Sequence, residues 1–121
     1  MNSIFTKEIL DQYFNGINNG GWDLWIADDI VFTNGTKQVT GKDAYVAALG
    51  RFLQVAKSVE VKKLIIEGNN ACAVASYRLQ SPQGNTGVCE VAEVLFVRGG
   101  KIASSSIFFD TVAFREFVEK G

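Results

Sequence analysis

The stretch VCEVAEVLFV, residues Val88–Val97, contributes most to the prediction of the fold. Its β-branched and aromatic residues, followed closely by Gly99-Gly100, predict a β-strand. Because side chains on a strand alternate between faces, Glu90 and Glu93 must point to opposite sides of the sheet. An unpaired carboxylate in apolar surroundings is costly, so a packed glutamate needs a partner, water or a raised pKa. This strand is therefore the strongest indication of chemistry in the sequence.

The composition is that of one globular domain. The chain has 121 residues, of which 47% are hydrophobic and 21% charged, with a formal net charge of −1. This charge gives no electrostatic reason to expect nucleic acid or an anionic membrane as a partner. No apolar run approaches the roughly 20 residues of a transmembrane helix. Residues 1–6 lack the basic and apolar regions of a signal peptide, so we expect a cytoplasmic protein.

The chain contains no histidine. This removes the commonest general base near neutral pH, the Ser-His and Cys-His pairs, and histidine-based zinc sites. If Leu79 pairs with Val88, Cys89 lies opposite Arg78 and not opposite Cys72, so we expect no disulfide and no thiolate zinc site. Acid–base chemistry would fall to carboxylates, tyrosines, lysines or water, and no cofactor or metal is expected.

The helical signals lie in three places. Thr6 is predicted to cap a first helix whose apolar stripe includes Tyr13. A second helix is predicted to begin near Thr40, and a short final helix to be capped by Asp110 or Thr111. The pattern therefore predicts two longer helices near the beginning of the chain and a short one at its end.

The strand signals lie on both sides of the predicted second helix. Asn34-Gly35 predicts a tight hairpin, and four further strands are predicted at about residues 59–67, 71–80, 87–98 and 101–109. These four strands form an antiparallel meander. Helices gathered on the concave face of a curved antiparallel sheet make an α+β fold, with a single domain over residues 1–121.

The predicted strand over residues 87–98 carries apolar residues on both faces. Val91 and Leu95 share one face, and Val94 and Phe96 share the other. Helices can cover only one face, so the other needs a second cover, most simply an identical subunit packed sheet to sheet. We therefore expect a homodimer formed through the outer face, with Glu90 paired there to a lysine or arginine either between subunits or across the strands.

The string GGWDLWIADDIVF, residues Gly20–Phe32, resembles the start of the nuclear-transport-factor-2-like (NTF2-like, or SnoaL-like) cone fold. Three later segments agree with that fold in order and spacing: Gly41-Lys42, Gly100-Lys101-Ile102 and Phe109-Asp110. The resemblance covers nearly the whole chain and implies a cavity between the concave sheet and the helices. It does not select an activity, because the superfamily includes isomerases, cyclases, dehydratases, epoxide hydrolases and non-catalytic binders.

The ketosteroid-isomerase branch of this superfamily gives the sharpest comparison. Its aspartate base falls on Asn34, its protonated aspartate donor on Glu93 and its tyrosine donor on Tyr13. The resemblance thus implies Glu93 and Tyr13 as catalytic residues, whereas the Asn34 amide cannot abstract a proton. The polyketide-cyclase and scytalone-dehydratase types depend on histidine, and the final-strand aspartate of the limonene-epoxide-hydrolase type falls on Ile107.

The favoured interpretation is binding of an apolar small molecule that bears a carbonyl or carboxylate. The pocket is predicted to be lined by Asn34, Trp25, Phe32, Phe52, Ile107 and Phe109. The alternative is a cofactor-free isomerase or cyclase that acts on an apolar carbonyl compound, with Glu93 as acid–base and Tyr13 as oxyanion donor. A scaffold domain with a filled cavity and an internally bound Glu93 is a third alternative.

Two local questions stay open in the sequence. Glu93 is either a neutral acid with a raised pKa, a carboxylate paired with Arg78, or a carboxylate that reaches water at the mouth of the cavity. The run Ser104-Ser105-Ser106 has no base to activate it, and we interpret it as ordinary strand surface.

Overall fold

Three α-helices and one 3₁₀ turn form the helical part of the computed structural model, which describes residues 3–35 and 37–120. Helix α1 spans Ser3–Asn19, α2 spans Lys42–Leu53 and α3 spans Thr111–Lys120, with the 3₁₀ turn at Trp22–Trp25. Within these described residues, no helix has the length and apolar character needed to cross a membrane.

The ends of the helices confirm one predicted cap and correct two others. Asp110 caps α3, because its Oδ1 accepts a hydrogen bond from the backbone N–H of Ala113 at 2.9 Å. Thr6 does not cap α1, since the helix begins earlier; its buried hydroxyl donates to the Gly68 carbonyl at 2.7 Å and ties α1 to the sheet. Helix α2 begins after Gly41, not at Thr40.

Six strands form one curved sheet in the order β2-β1-β6-β5-β4-β3. Their bounds are β1 Ile26–Asn34, β2 Lys37–Thr40, β3 Ala56–Glu67, β4 Asn70–Gln80, β5 Thr86–Arg98 and β6 Lys101–Phe108. Neighbouring strands are antiparallel, as predicted, except that β1 and β6 pair in parallel. A parallel pair needs a crossover connection, and here α2 and strands β2–β5 supply it.

The hairpin between β4 and β5 is shifted by one residue from the predicted register. Leu79 pairs with Gly87, which places Cys89 opposite Tyr77. The turn closes one residue earlier than predicted because the Ser81 N–H donates to the Asn85 carbonyl at 2.8 Å. Both cysteines are free thiols, so the expectation of no disulfide is confirmed.

Alternation along β4 and β5 separates an inner face from an outer one. Every second residue from Ala71 to Leu79 and from Cys89 to Val97 is buried on the inner face, which the helices cover. Helix α1 is anchored there by Asn18, whose side chain bonds both the backbone N–H and the carbonyl of Val59, at 2.8 and 3.0 Å. The core therefore lies between the concave face of the sheet and the helices.

Candidate functional site

The two glutamates of β5 lie on opposite faces, as predicted. Glu93 is on the inner face and only 3% exposed, and in the part of the chain that the structure describes it is the one charged residue that is buried. Glu90 is exposed on the outer face and accepts a hydrogen bond from the Ser76 hydroxyl at 2.6 Å. Among the described residues its partner is therefore Ser76 and not a lysine or arginine, so the expected cross-strand pair is wrong, while a pair between subunits stays a prediction.

Tyr77, on the neighbouring strand β4, is the hydrogen-bond partner of Glu93. Its hydroxyl donates to Glu93 Oε1 at 2.8 Å. Burial raises the pKa of Glu93 from 4.5 to about 7, and the bond from Tyr77 lowers it by less than burial raises it. Pairing with Arg78 is wrong, because alternation turns Arg78 outward, where it is exposed, while Tyr77 points inward.

All three tyrosines of the chain surround this carboxyl group. Tyr13 comes from α1, Tyr45 from α2 and Tyr77 from β4, and each is buried. The hydroxyls of Tyr13 and Tyr45 lie 2.7 Å apart, and either can be the donor. Burial, and then charge on Glu93 or on a neighbouring tyrosine, raises the pKa of every one of them. The phenols therefore stay protonated and can act as hydrogen-bond donors.

Aromatic rings pack edge-on against all three tyrosines, and two of these rings belong to residues predicted to line a pocket. The Phe32 ring lies 5.0 Å from Tyr45, and the Phe52 ring lies 5.1 Å from Tyr77. Trp25, on the 3₁₀ turn, is half-buried and packs against the core at one side. Phe32 and Phe52, both predicted to line a pocket, thus contact the tyrosines of this cluster.

Asn34, Ile107 and Glu93 stand in one row across the sheet. Ile107 on β6 pairs with Glu93 on one side and with Asn34 of β1 on the other. Strands lie about 4.8 Å apart, so Asn34 is roughly 10 Å from Glu93 at the backbone. Among the predicted residues, Ile107 is therefore the direct cross-strand neighbour of Glu93, whereas Asn34 is one strand further away.

Ser105 is a polar residue of the inner face that the sequence interpretation missed. It is 1% exposed, and its Oγ has no hydrogen-bond partner in residues 3–35 and 37–120. Interpreting the serine run as strand surface was wrong for this residue. The missed signal was alternation, because Ser105 precedes Ile107 by two and must share its face.

A groove of about 370 Å³ opens between α3 and the ends of β4 and β5. It is lined by Leu79, Gly87, Val88, Cys89, Glu90, Asp110, Ala113, Phe114 and Phe117. Phe114 in its wall lies 5.4 Å from Phe52 and 5.8 Å from Phe109, ring to ring. Since Phe52 also packs on Tyr77, an aromatic chain connects this groove with the Glu93 cluster.

A second cleft, of about 350 Å³, is more polar and does not include Glu93. It is lined by Ile26, Ala27, Asp28, Asp29, Lys42, Arg98 and Lys101. Two of its charged groups already have partners, since Arg98 pairs with Asp29 at 2.5 Å and Lys101 donates to the Leu24 carbonyl at 2.6 Å. Across the described ranges, no group of three or more acidic, cysteine or histidine side chains could hold a metal ion.

The SnoaL-like domain model matches residues 10–105, and the chain therefore belongs to the SnoaL-like family of the NTF2-like superfamily. This confirms both the resemblance and the predicted α+β cone fold. No curated protein sequence matches the chain.

Several solved structures superpose on nearly the whole chain. TerC, co-crystallised with polyporic acid, has a TM-score of 0.82 at 18% identity and covers 96% of this chain and 99% of its own. A provisionally assigned SnoaL-like polyketide cyclase from Jannaschia sp. CCS1 has a TM-score of 0.85 at 15% identity, covering 98% and 94%. An NTF2-like protein of unknown function from Burkholderia pseudomallei K96243 has a TM-score of 0.81 at 13% identity, covering 97% and 98%. At such identities the similarity establishes the fold alone.

Proposed function

We propose that the protein binds an apolar small molecule with a carbonyl group in the interior of the cone. The observation that carries this proposal is Glu93, a buried carboxyl group with a raised pKa beside three buried phenols. Such a cluster destabilises an otherwise apolar core, and perturbed carboxyl groups gather at functional sites. A neutral Glu93 donates a hydrogen bond to a carbonyl oxygen, which an ionised carboxylate cannot do.

The groove beneath α3 supports a route for such a ligand. Its volume of about 370 Å³ falls in the range of small-molecule pockets. Its lining residues Leu79 and Cys89 are next to Tyr77 and Val91 on the inner face, so the groove opens at one end of the face that carries Glu93. In this proposal the apolar body of the ligand lies in the groove. Its carbonyl end displaces the Phe52 and Phe114 rings and reaches Glu93.

The test compares two probes of the same shape, the ketone acetylnaphthalene and the hydrocarbon ethylnaphthalene. Binding is followed by the fluorescence of Trp22 and Trp25 at a series of pH values. Affinity for the ketone should fall by about tenfold per pH unit above the pKa of Glu93, because each unit removes nine-tenths of the neutral acid. Affinity for the hydrocarbon should not change.

Glu93→Gln and Glu90→Gln form the matched pair of variants for this test. The first should make ketone binding independent of pH, because its amide does not titrate and still donates. The second, on the outer face, should keep the pH dependence of the wild-type protein. Equal wild-type affinity for both probes at every pH would contradict the proposal.

A cofactor-free isomerase or cyclase is the second candidate function. A carboxyl group with a pKa near 7 is suited to general acid–base catalysis at neutral pH, which is the specific observation in its favour. Tyr13 or Tyr45 would act as the oxyanion donor. With a carbonyl substrate, Glu93→Gln should abolish turnover if Glu93 transfers a proton, whereas a binder would only change its affinity.

We also propose that the outer face of the sheet binds a second copy of this chain. Val94 and Phe108 are 48% and 59% exposed there, next to the exposed Val74. One apolar patch shared by identical subunits is self-complementary, as a two-fold dimer requires. In sedimentation at micromolar concentration, the wild-type protein and a Leu24→Lys control should be dimers and Val94→Lys a monomer. A monomeric wild-type protein would contradict this part.

A further inference from the structure

The buried cluster contains more hydrogen-bonding groups than hydrogen bonds. One hydroxyl of the Tyr13–Tyr45 pair donates to the other, and the acceptor's own O–H is left without an assigned acceptor. Glu93 receives one bond at Oε1, from Tyr77. The Ser105 hydroxyl makes no bond to any described residue. Buried groups of this kind are paired in nearly all proteins, so those that are not indicate a partner outside the chain, either a water or a ligand.

The register of the sheet brings Ser105 next to Glu93. Leu95 pairs with Ser105 and Glu93 pairs with Ile107 along the same antiparallel ladder. Ser105 and Glu93 are therefore diagonal neighbours on one face, with about 7–8 Å between their backbones. One oxygen atom of a ligand can lie between two side chains that are this far apart, at hydrogen-bond distance from both.

Ser105 also lies close to the tyrosine pair. It is the parallel-strand partner of Phe32, whose ring packs 5.0 Å from the ring of Tyr45. Ser105 is further from the groove at Cys89 than Glu93 is, and it lies in the deep part of the inner face. A ligand that enters from the groove would present its innermost group here.

We propose that Ser105 is a specificity-determining residue that donates a hydrogen bond to an oxygen at the innermost end of the ligand. The neutral carboxyl group of Glu93, its diagonal neighbour, donates to the same oxygen. The ligand class is thus an apolar compound with a terminal carbonyl or phenolic oxygen, whose two lone pairs accept both bonds. This inference rests on the proposed function, because it specifies the ligand of the same site.

Ser105→Ala is compared with Ser104→Ala, its neighbour on the outer face, and both are measured with acetylnaphthalene and ethylnaphthalene. The experiment is run at about pH 5.5, where Glu93 is neutral in every protein and its contribution cancels. Ser105→Ala should weaken ketone binding by about tenfold, the loss expected for one hydrogen bond, and leave hydrocarbon binding unchanged. Ser104→Ala should match the wild-type protein with both probes.

The outcomes separate this inference from the proposed function. If Ser105→Ala binds the ketone with wild-type affinity and keeps the pH dependence that Glu93 causes, only the role of Ser105 is overturned. Its hydroxyl then has an internal water as its partner. A wild-type protein that does not prefer the ketone overturns both proposals. Urea unfolding checks the fold of the variant, and Ser105→Ala should unfold at no lower urea concentration than the wild-type protein, because it removes an unpaired buried hydroxyl.

Discussion

The buried carboxyl of Glu93 should make the protein less stable as the pH rises from about 4.5 to about 7. In this interval the unfolded chain has lost the proton of Glu93, while the folded protein still holds it, so the unfolded state binds fewer protons. The stabilisation is fully present below the unfolded pKa of 4.5 and lost when the pH passes the folded value of about 7. The difference between these two pKa values corresponds to about 3 kcal/mol.

Urea unfolding of the wild-type protein and of Glu93→Gln measures this difference. Subtracting the two free energies of unfolding at each pH removes the titration of all other groups. Relative to the wild-type protein, the free energy of unfolding of Glu93→Gln should increase by about 3 kcal/mol between about pH 4 and pH 8. Glu90→Gln, which changes an exposed carboxyl, should show no such gain. A difference between wild type and Glu93→Gln that does not vary with pH would refute the reasoning.

Three further predictions test the surroundings of the site and the fold. Tyr77→Phe removes the donor that lowers the pKa of Glu93, so the pH at which stability is lost should move above about 7, measured by the same urea series. Gly16→Ala should destabilise by several kcal/mol, because its Cβ would lie 2.6 Å from a backbone nitrogen of the 3₁₀ turn. Gly50→Ala, in open space within α2, should stabilise by about 0.5–1 kcal/mol, and equal effects of the two glycine changes in thermal unfolding would contradict this packing. Asp110→Ala should cost about 1 kcal/mol through loss of the α3 cap, and Asp110→Asn should recover most of it.

Local patterns were sufficient to predict the elements and the two faces of the sheet. Period-two alternation in β5 put Glu90 and Glu93 on opposite faces, and the resemblance to the NTF2-like fold implied that Glu93 is the inner one; both expectations hold. Asp110 also caps its helix as predicted, because a cap depends on residues within one turn. These features are determined by neighbours along the chain, which a single sequence contains.

The contacts that define the site depend on long-range packing, which local patterns do not determine. Tyr77 meets Glu93 because the hairpin turn closes one residue earlier than the turn residues suggested. Tyr13 and Tyr45 come from two helices, and their contact depends on how both helices pack on the sheet. Ser105 could have been found, since it shares a face with Ile107, but a run of three serines carries no apolar alternation of its own.

The protonation of Glu93 can be measured by a carbon-13 NMR titration of its side-chain carboxyl, with the resonance assigned by its loss in Glu93→Gln. A buried acid that donates to a ligand oxygen requires a midpoint near 7. A midpoint near the ordinary value of 4.5 would show an ionised carboxylate at neutral pH, and would contradict a neutral donor at the centre of the cone.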